Sequence, residues 1–183
     1  LLNKLSGEAG RKQTILVRVS PSIDPHTHLL TTTGVLDSKF GFPIETGQAK
    51  EAIELALASE HLDLKGIHFH LGSPIFELEP YEEAVTRVLT FASEMRELGL
   101  DMQEFSPGGG YAIAYTDADE PPPPSAYAEV IVKALKDGCA KYNMPEPTLI
   151  IEPGRSITGP AGVAVYTVGA IKYIPGVRTF VSV

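Results

Sequence analysis

The stretch Leu149-Ile150-Ile151-Glu152-Pro153-Gly154-Arg155 constrains the fold more than any other, because an apolar run ends abruptly in an acid, a rigid turn and a cation. Pro153 lacks the backbone donor that a central strand needs and Gly154 permits a tight turn, so the strand predicted over 149–151 stops there. Three further stretches have the same build: Val17–Pro21 after Ile15-Leu16, Ile67–Ser73 after Leu64, and Phe105–Gly110. Buried parallel strands with functional groups at their carboxyl ends are the geometry of an α/β active site. Four such strands converge on one mouth.

Helical patterns separate them. Ala49, Ala52, Ile53, Ala56 and Leu57 recur at helical spacing behind Thr46, a candidate N-cap. Pro80 suits a first turn, Tyr81, Ala84, Val85, Val88, Leu89, Ala92 and Met95 form an apolar stripe, and Gly99 is placed to stop it. A third helix, capped by Ser125, turns Tyr127, Val130, Ile131, Ala134 and Leu135 inward. The strands expected between them are 15–21, 64–70, 104–106 and 148–151, and the long loop 22–47 reads as functional rather than idle. Successive βαβ units favour a (β/α)8 TIM-type barrel, incomplete here, with an open doubly wound sheet as the rival. After Arg155 the pattern changes to a β-rich run over 161–174 and a strand pattern over 179–183. This divides the chain into part of a barrel, residues 1–159, and a segment, 160–183, that leads into a C-terminal all-β domain and returns to the barrel.

With 183 residues, 43% of them apolar, the chain can bury one real core. No apolar run is long enough to span a membrane, no signal peptide is evident, and the chain is expected to begin and stop mid-fold. The single cysteine, Cys139, rules out an intramolecular disulfide and fits a reducing cytoplasm. A net charge of −8 argues against a nucleic-acid surface.

Several residue groups point to chemistry. Gly108-Gly109-Gly110 at a strand's carboxyl end lets backbone N–H groups approach an anion such as phosphate, although a plain turn is the simpler reading of a lone triplet. His68 and His70 lie two apart and share a face, and His26 and His28 repeat the spacing in the long loop. Such pairs suggest a metal site, but the later strand ends offer glycines, Glu152 and Arg155 instead of further ligands. His68 reads as a satisfied core residue. Glu152 needs a partner, either Arg155 or Arg18 as an internal ion pair, or the protonated ring nitrogen of a cofactor. Arg155 is an ordinary ion pair or a bidentate anion clamp. Residues 37–42 read equally as a structural corner, and the acidic run 117–120 as solvated surface.

Taken together, the blocks resemble the diaminopimelate decarboxylases, pyridoxal-phosphate decarboxylases with an alanine-racemase-like barrel. The blocks are Arg18-Val-Ser-Pro21, Asp24-Pro-His-Thr-His28, Thr33-Gly34, Asp37-Ser-Lys-Phe-Gly41, Gly66-Ile-His-Phe-His-Leu-Gly-Ser73, Gly108-Gly-Gly-Tyr-Ala-Ile-Ala-Tyr115, Glu152-Pro-Gly-Arg-Ser-Ile157 and Gly159-Pro-Ala-Gly162. They span nearly the whole chain, and the His-Thr-His loop and Gly-Pro-Ala-Gly tail point to this member rather than to ornithine or arginine decarboxylases.

The resemblance implies a cofactor, pyridoxal 5'-phosphate, and roles by position. His70 stacks on the pyridine ring, Ser73 and Gly108–Gly110 hold the phosphate, and Glu152 pairs with the pyridinium nitrogen. Pro153, Gly154 and Arg155 line the same rim, Arg155 also meets a substrate carboxylate, and Arg18 sits under the cofactor. The implied reaction takes meso-diaminopimelate to L-lysine and carbon dioxide, with a metal-dependent hydrolase or a decarboxylase of another basic amino acid as alternatives. Ser20 stands where asparagine is commoner, and Ser73-Pro74-Ile75 replaces Ser-Gln-Ile. The family's Schiff-base lysine is expected upstream of residue 1, since no lysine here, Lys39 included, matches its motif. A cysteine, a glutamate and a tyrosine that complete the partner's site in the homodimer are expected downstream. By this reading the chain alone is inactive.

Overall fold

The computed structural model describes residues 1–23 and 39–183. Its framework is a five-stranded, all-parallel sheet. In chain order come helix α1 (Leu2–Glu8), strand β1 (Gln13–Ser20), the two-residue strand β2 (Phe42–Pro43) and helix α2 (Gln48–Leu57). They are followed by β3 (Leu62–His68), α3 (Glu79–Met95), β4 (Glu104–Gly109), α4 (Pro124–Lys141), β5 (Thr148–Glu152) and the short helix α5 (Gly154–Thr158). The sheet order is β2-β1-β3-β4-β5, so the four full strands sit side by side in chain order. The four full strands advance in one direction, each followed by a helix, as in a sector of a (β/α) barrel, and two-residue β2 only extends the far edge of β1.

Alternation along each strand separates two faces. Val17, Val19, Ile67, Phe69 and Phe105 are buried on the helix side. There they join Ala49 and Ile53 of α2, Ala84, Val85, Val88 and Leu89 of α3, and Ile131 and Leu135 of α4 in one core. The intervening residues, Arg18, His68 and Ser106, stand on the opposite face in one register row. Glycine permits two of the closest strand approaches: a Cβ on Gly66 would lie 1.7 Å from the Glu104 carbonyl oxygen, and one on Gly109 would lie 1.9 Å from that of Glu152.

The strands begin or end within about two residues of the expected positions, with one difference that matters. β4 continues through Gly109, so two of the three glycines are paired strand residues rather than a loop. Neither predicted cap acts as one. α2 starts from Gly47, whose positive φ of 83° turns the chain into the helix without a side-chain bond. α4 starts from extended Pro123, which places Ser125 inside the first turn. The β-rich run over 161–174 forms a strand only at β6 (Ile171–Ile174), paired antiparallel with β7 (Arg178–Val181). Val163 and Val165 ahead of it are almost fully exposed and outside any ladder.

Candidate active site

The carboxyl ends of β1, β3, β4 and β5 bring the polar residues together. Arg18 pairs in register with His68, and His68 with Ser106. A register shift in β4 between Phe105 and Gly108 places Glu152 opposite Gly109. From there the Glu152 carboxylate reaches back across the sheet. His68 Nε2 lies 3.1 Å from Glu152 Oε1, and Ser106 Oγ donates to the same oxygen at 3.5 Å. Ser106 Oγ in turn accepts the Gly108 N–H at 3.3 Å. The partner of Glu152 is therefore His68, not Arg155 or Arg18, and His68 belongs to the site rather than to the core. Its side chain is 15% exposed and that of Glu152 is 52% exposed, so the acid stands at the rim rather than in the interior.

Burial lowers the His68 pKa below its ordinary value, opposed by the Glu152 carboxylate. A neutral His68 in the Nε2–H tautomer donates to Glu152. Burial, followed by the nearby Arg18 charge, also lowers the His70 pKa. His70 Nδ1 accepts the Gly109 N–H at 3.3 Å, which fixes the ring at the edge of the glycine turn. Arg18 is half-buried, with its guanidinium carbon 5.0 Å from the Phe40 ring centre. Burial lowers its pKa while Glu152 raises it.

The glycine turn is packed tightly. Gly108 has φ 74°, and a Cβ there would come within 2.7 Å of both His70 Nδ1 and the Phe69 carbonyl oxygen. Gly110 has φ 99°, and its Cβ would come within 2.1 Å of the Gly72 carbonyl oxygen. Ile75 N–H donates to Gly110 C=O at 2.8 Å, so the segment carrying half-buried Ser73 runs alongside the turn. Pro153 and Gly154 lead from Glu152 into α5, where the exposed Arg155 donates to the Tyr115 hydroxyl and stacks 5.7 Å from its ring centre. Among the described residues no three His, Cys, Asp or Glu side chains gather as a metal shell. His26 and His28, with Asp24, Thr33, Gly34, Asp37 and Ser38, lie outside the described residues.

A neutral imidazole, a side-chain-free turn and a carboxylate on adjacent strand ends suit a flat heteroaromatic phosphate. Residues 1–159 match the family described as pyridoxal-dependent decarboxylase, pyridoxal binding domain. The chain belongs to the pyridoxal-dependent decarboxylases. It is 41% identical, over its whole length, to the diaminopimelate decarboxylase of Bacillus subtilis (strain 168), of which it covers 42%. The crystal structure of diaminopimelate decarboxylase from M. jannaschii in co-complex with L-lysine superposes with a TM-score of 0.76 at 32% identity, over 98% of this chain and 41% of that one. The Helicobacter pylori enzyme complexed with L-lysine gives 0.72 at 35% identity, over 85% of this chain and 37% of that one. The chain thus spans less than half the length of these relatives.

The residues present fit the family's cofactor. The imidazole of His70, the Glu152 carboxylate and the left-handed turn at Gly108 and Gly110 meet at the carboxyl ends of adjacent strands, a donor set suited to a heteroaromatic ring with an anionic group. Sequence reasoning missed Ser106 and took His68 for a core residue. The two-residue strand period, already read for His68 and His70, also sets Ser106 on the face opposite Phe105 and was the available signal.

Proposed function

We propose that this chain forms the cofactor-holding part of a decarboxylase that converts meso-diaminopimelate to L-lysine and carbon dioxide. The observation that carries the reading is the rim formed by His70, the glycine turn and Glu152, in a chain 41% identical along its whole length to a diaminopimelate decarboxylase. When bound, pyridoxal phosphate supplies an electron sink for the pair left at Cα as carbon dioxide departs.

The chain's own residues bind, orient and hold charge. Ser73 and the Gly110 N–H, at the end of the Gly108–Gly110 turn whose first two N–H groups are given to Ser106 and His70, hold the phosphate, with Pro153 and Gly154 closing the same rim. The imidazole of His70, locked through Nδ1 to Gly109, supports the face of the pyridine ring. Glu152 accepts a hydrogen bond from the protonated ring nitrogen and keeps that proton in place, while His68 and Ser106 aim its carboxylate. Arg18 balances the negative charge from β1. Arg155, held by Tyr115, meets a substrate carboxylate as a bidentate cation.

The reading extends to a homodimer in the cytoplasm. A lone buried cysteine suits a reducing compartment, and no helix among the described residues is long and apolar enough to cross a membrane. The test is lysine and carbon dioxide release by the whole protein from meso-diaminopimelate, ornithine and arginine, with and without added pyridoxal phosphate. Cofactor-dependent release from diaminopimelate alone is expected. Turnover of ornithine or arginine instead overturns the substrate, and no turnover of any of them overturns the reaction.

A further inference from the structure

Gly109 is tied at both of its backbone polar groups. Its N–H donates to His70 Nδ1 on the mouth side, and its carbonyl accepts the Tyr81 hydroxyl at 2.8 Å. Tyr81 is fully buried in the first turn of α3, within the helix layer. Its ring lies 5.6 Å from that of Tyr127, edge to face, and 5.7 Å from that of Tyr111. Tyr127 is built in the same way but reaches elsewhere: its hydroxyl donates to Ile75 C=O at 2.7 Å and accepts Ala112 N–H at 3.3 Å. A packing role alone would be met by phenylalanine, since the rings carry the contact area. The hydroxyl is what singles out Gly109.

A trans peptide is planar, with its C=O and N–H pointing in opposite directions. A donor that fixes the Gly109 carbonyl therefore fixes the direction of the Gly110 N–H, turning it away from the helix layer. Gly110 itself sits between the Gly72 carbonyl oxygen and the Tyr81 hydroxyl, 2.1 and 3.2 Å from where its Cβ would be. Burial raises the Tyr81 pKa far above its ordinary value, reinforced by Tyr111 and Tyr127, so the phenol stays a donor at every working pH.

We propose that Tyr81 is a positioning residue for the cofactor's phosphate: its hydroxyl, holding the Gly109 carbonyl from within the helix layer, sets the direction in which the Gly110 N–H is presented. The inference rests on the reading of Gly108–Gly110 as the phosphate turn. The experiment titrates the whole protein, stripped of cofactor, with pyridoxal 5'-phosphate and with pyridoxal, which lacks the phosphate. Tyr81→Phe is compared with Tyr127→Phe, which removes an equally buried hydroxyl, and with Ser73→Ala. Tyr81→Phe is expected to weaken pyridoxal 5'-phosphate about tenfold and pyridoxal less than about twofold, the size of effect one buried hydrogen bond commands. Tyr127→Phe should leave that ratio unchanged.

Equal weakening of both ligands by Tyr81→Phe, or none, overturns the inference while selective weakening by Ser73→Ala keeps the phosphate reading. If neither Tyr81→Phe nor Ser73→Ala changes the preference for the phosphorylated ligand, the reading and the inference fall together. Should the stripped Tyr81→Phe protein not survive, the rate of cofactor loss on dilution of the loaded protein replaces the titration. A rate equal to that of the unaltered protein overturns the inference.

Discussion

A carboxylate half exposed at a strand end needs something to hold its direction, and for Glu152 that is the neutral imidazole of His68 at 3.1 Å. The two roles separate in their expected effects. Glu152→Gln removes the charge proposed to face the ring nitrogen and should lower kcat of the whole protein on the order of 10²-fold, while cofactor absorbance persists. A kcat within about twofold of the unaltered protein would remove Glu152 from the chemistry. His68→Phe only loosens the aim of the acid, and a loss of about tenfold in kcat with KM little changed is expected. Glu152 was legible as the informative acid, since an acid, proline and glycine closing an apolar strand has few purely structural uses. Its partner was not. His68 and Glu152 are far apart in sequence, and their contact depends on the shift in β4 between Phe105 and Gly108, which no local pattern records.

At the scale of elements, β4 joins core to site within six residues, Phe105 buried against the helices and Gly108-Gly109 on the rim. Phe105→Ala should cost about 3–5 kcal/mol in urea unfolding, because Phe105 meets Phe69 edge to face at 5.9 Å in a fully buried position. A loss below about 1 kcal/mol would mean that the core does not close there. The helices were legible from their apolar stripes, and every stripe residue named for α3 is buried. Their starts were not. Thr46 and Ser125 carry the right side chains, but Gly47 and Pro123 turn the chain by backbone conformation alone. Ser125→Ala should therefore change stability by no more than about 0.5 kcal/mol, against about 1 kcal/mol for a true cap, on the same denaturation measurement.

For the molecule as a whole, the sequential parallel sheet puts His68, His70 and Arg18 around a single acid, and this sets a pH dependence. Both histidines are held neutral by burial, with pKa values lowered from about 6.5. Below that value the unfolded chain takes up protons that the folded chain refuses, so stability is full above it and declines as pH falls toward the lowered folded values. The urea midpoint of the cofactor-free whole protein should drop between pH 7.5 and 5.5, with a shallower slope in a His68→Gln, His70→Gln variant. A midpoint that rises on acidification would contradict this. The barrel sector was legible from strand-helix alternation alone, because each βαβ unit announces itself locally. The 161–174 run was not, since β-rich composition does not show which residues find a ladder partner. Only Ile171–Ile174 do so as a strand.

The most direct test of this site is a crystal structure of the whole protein with pyridoxal phosphate bound. The ring nitrogen is expected within hydrogen-bonding distance of the Glu152 carboxylate, the imidazole of His70 against the ring face, and the phosphate on Ser73 and the Gly108–Gly110 turn. A cofactor bound with its phosphate away from that turn, or with Glu152 still turned to His68 and no contact to the ring, would contradict it.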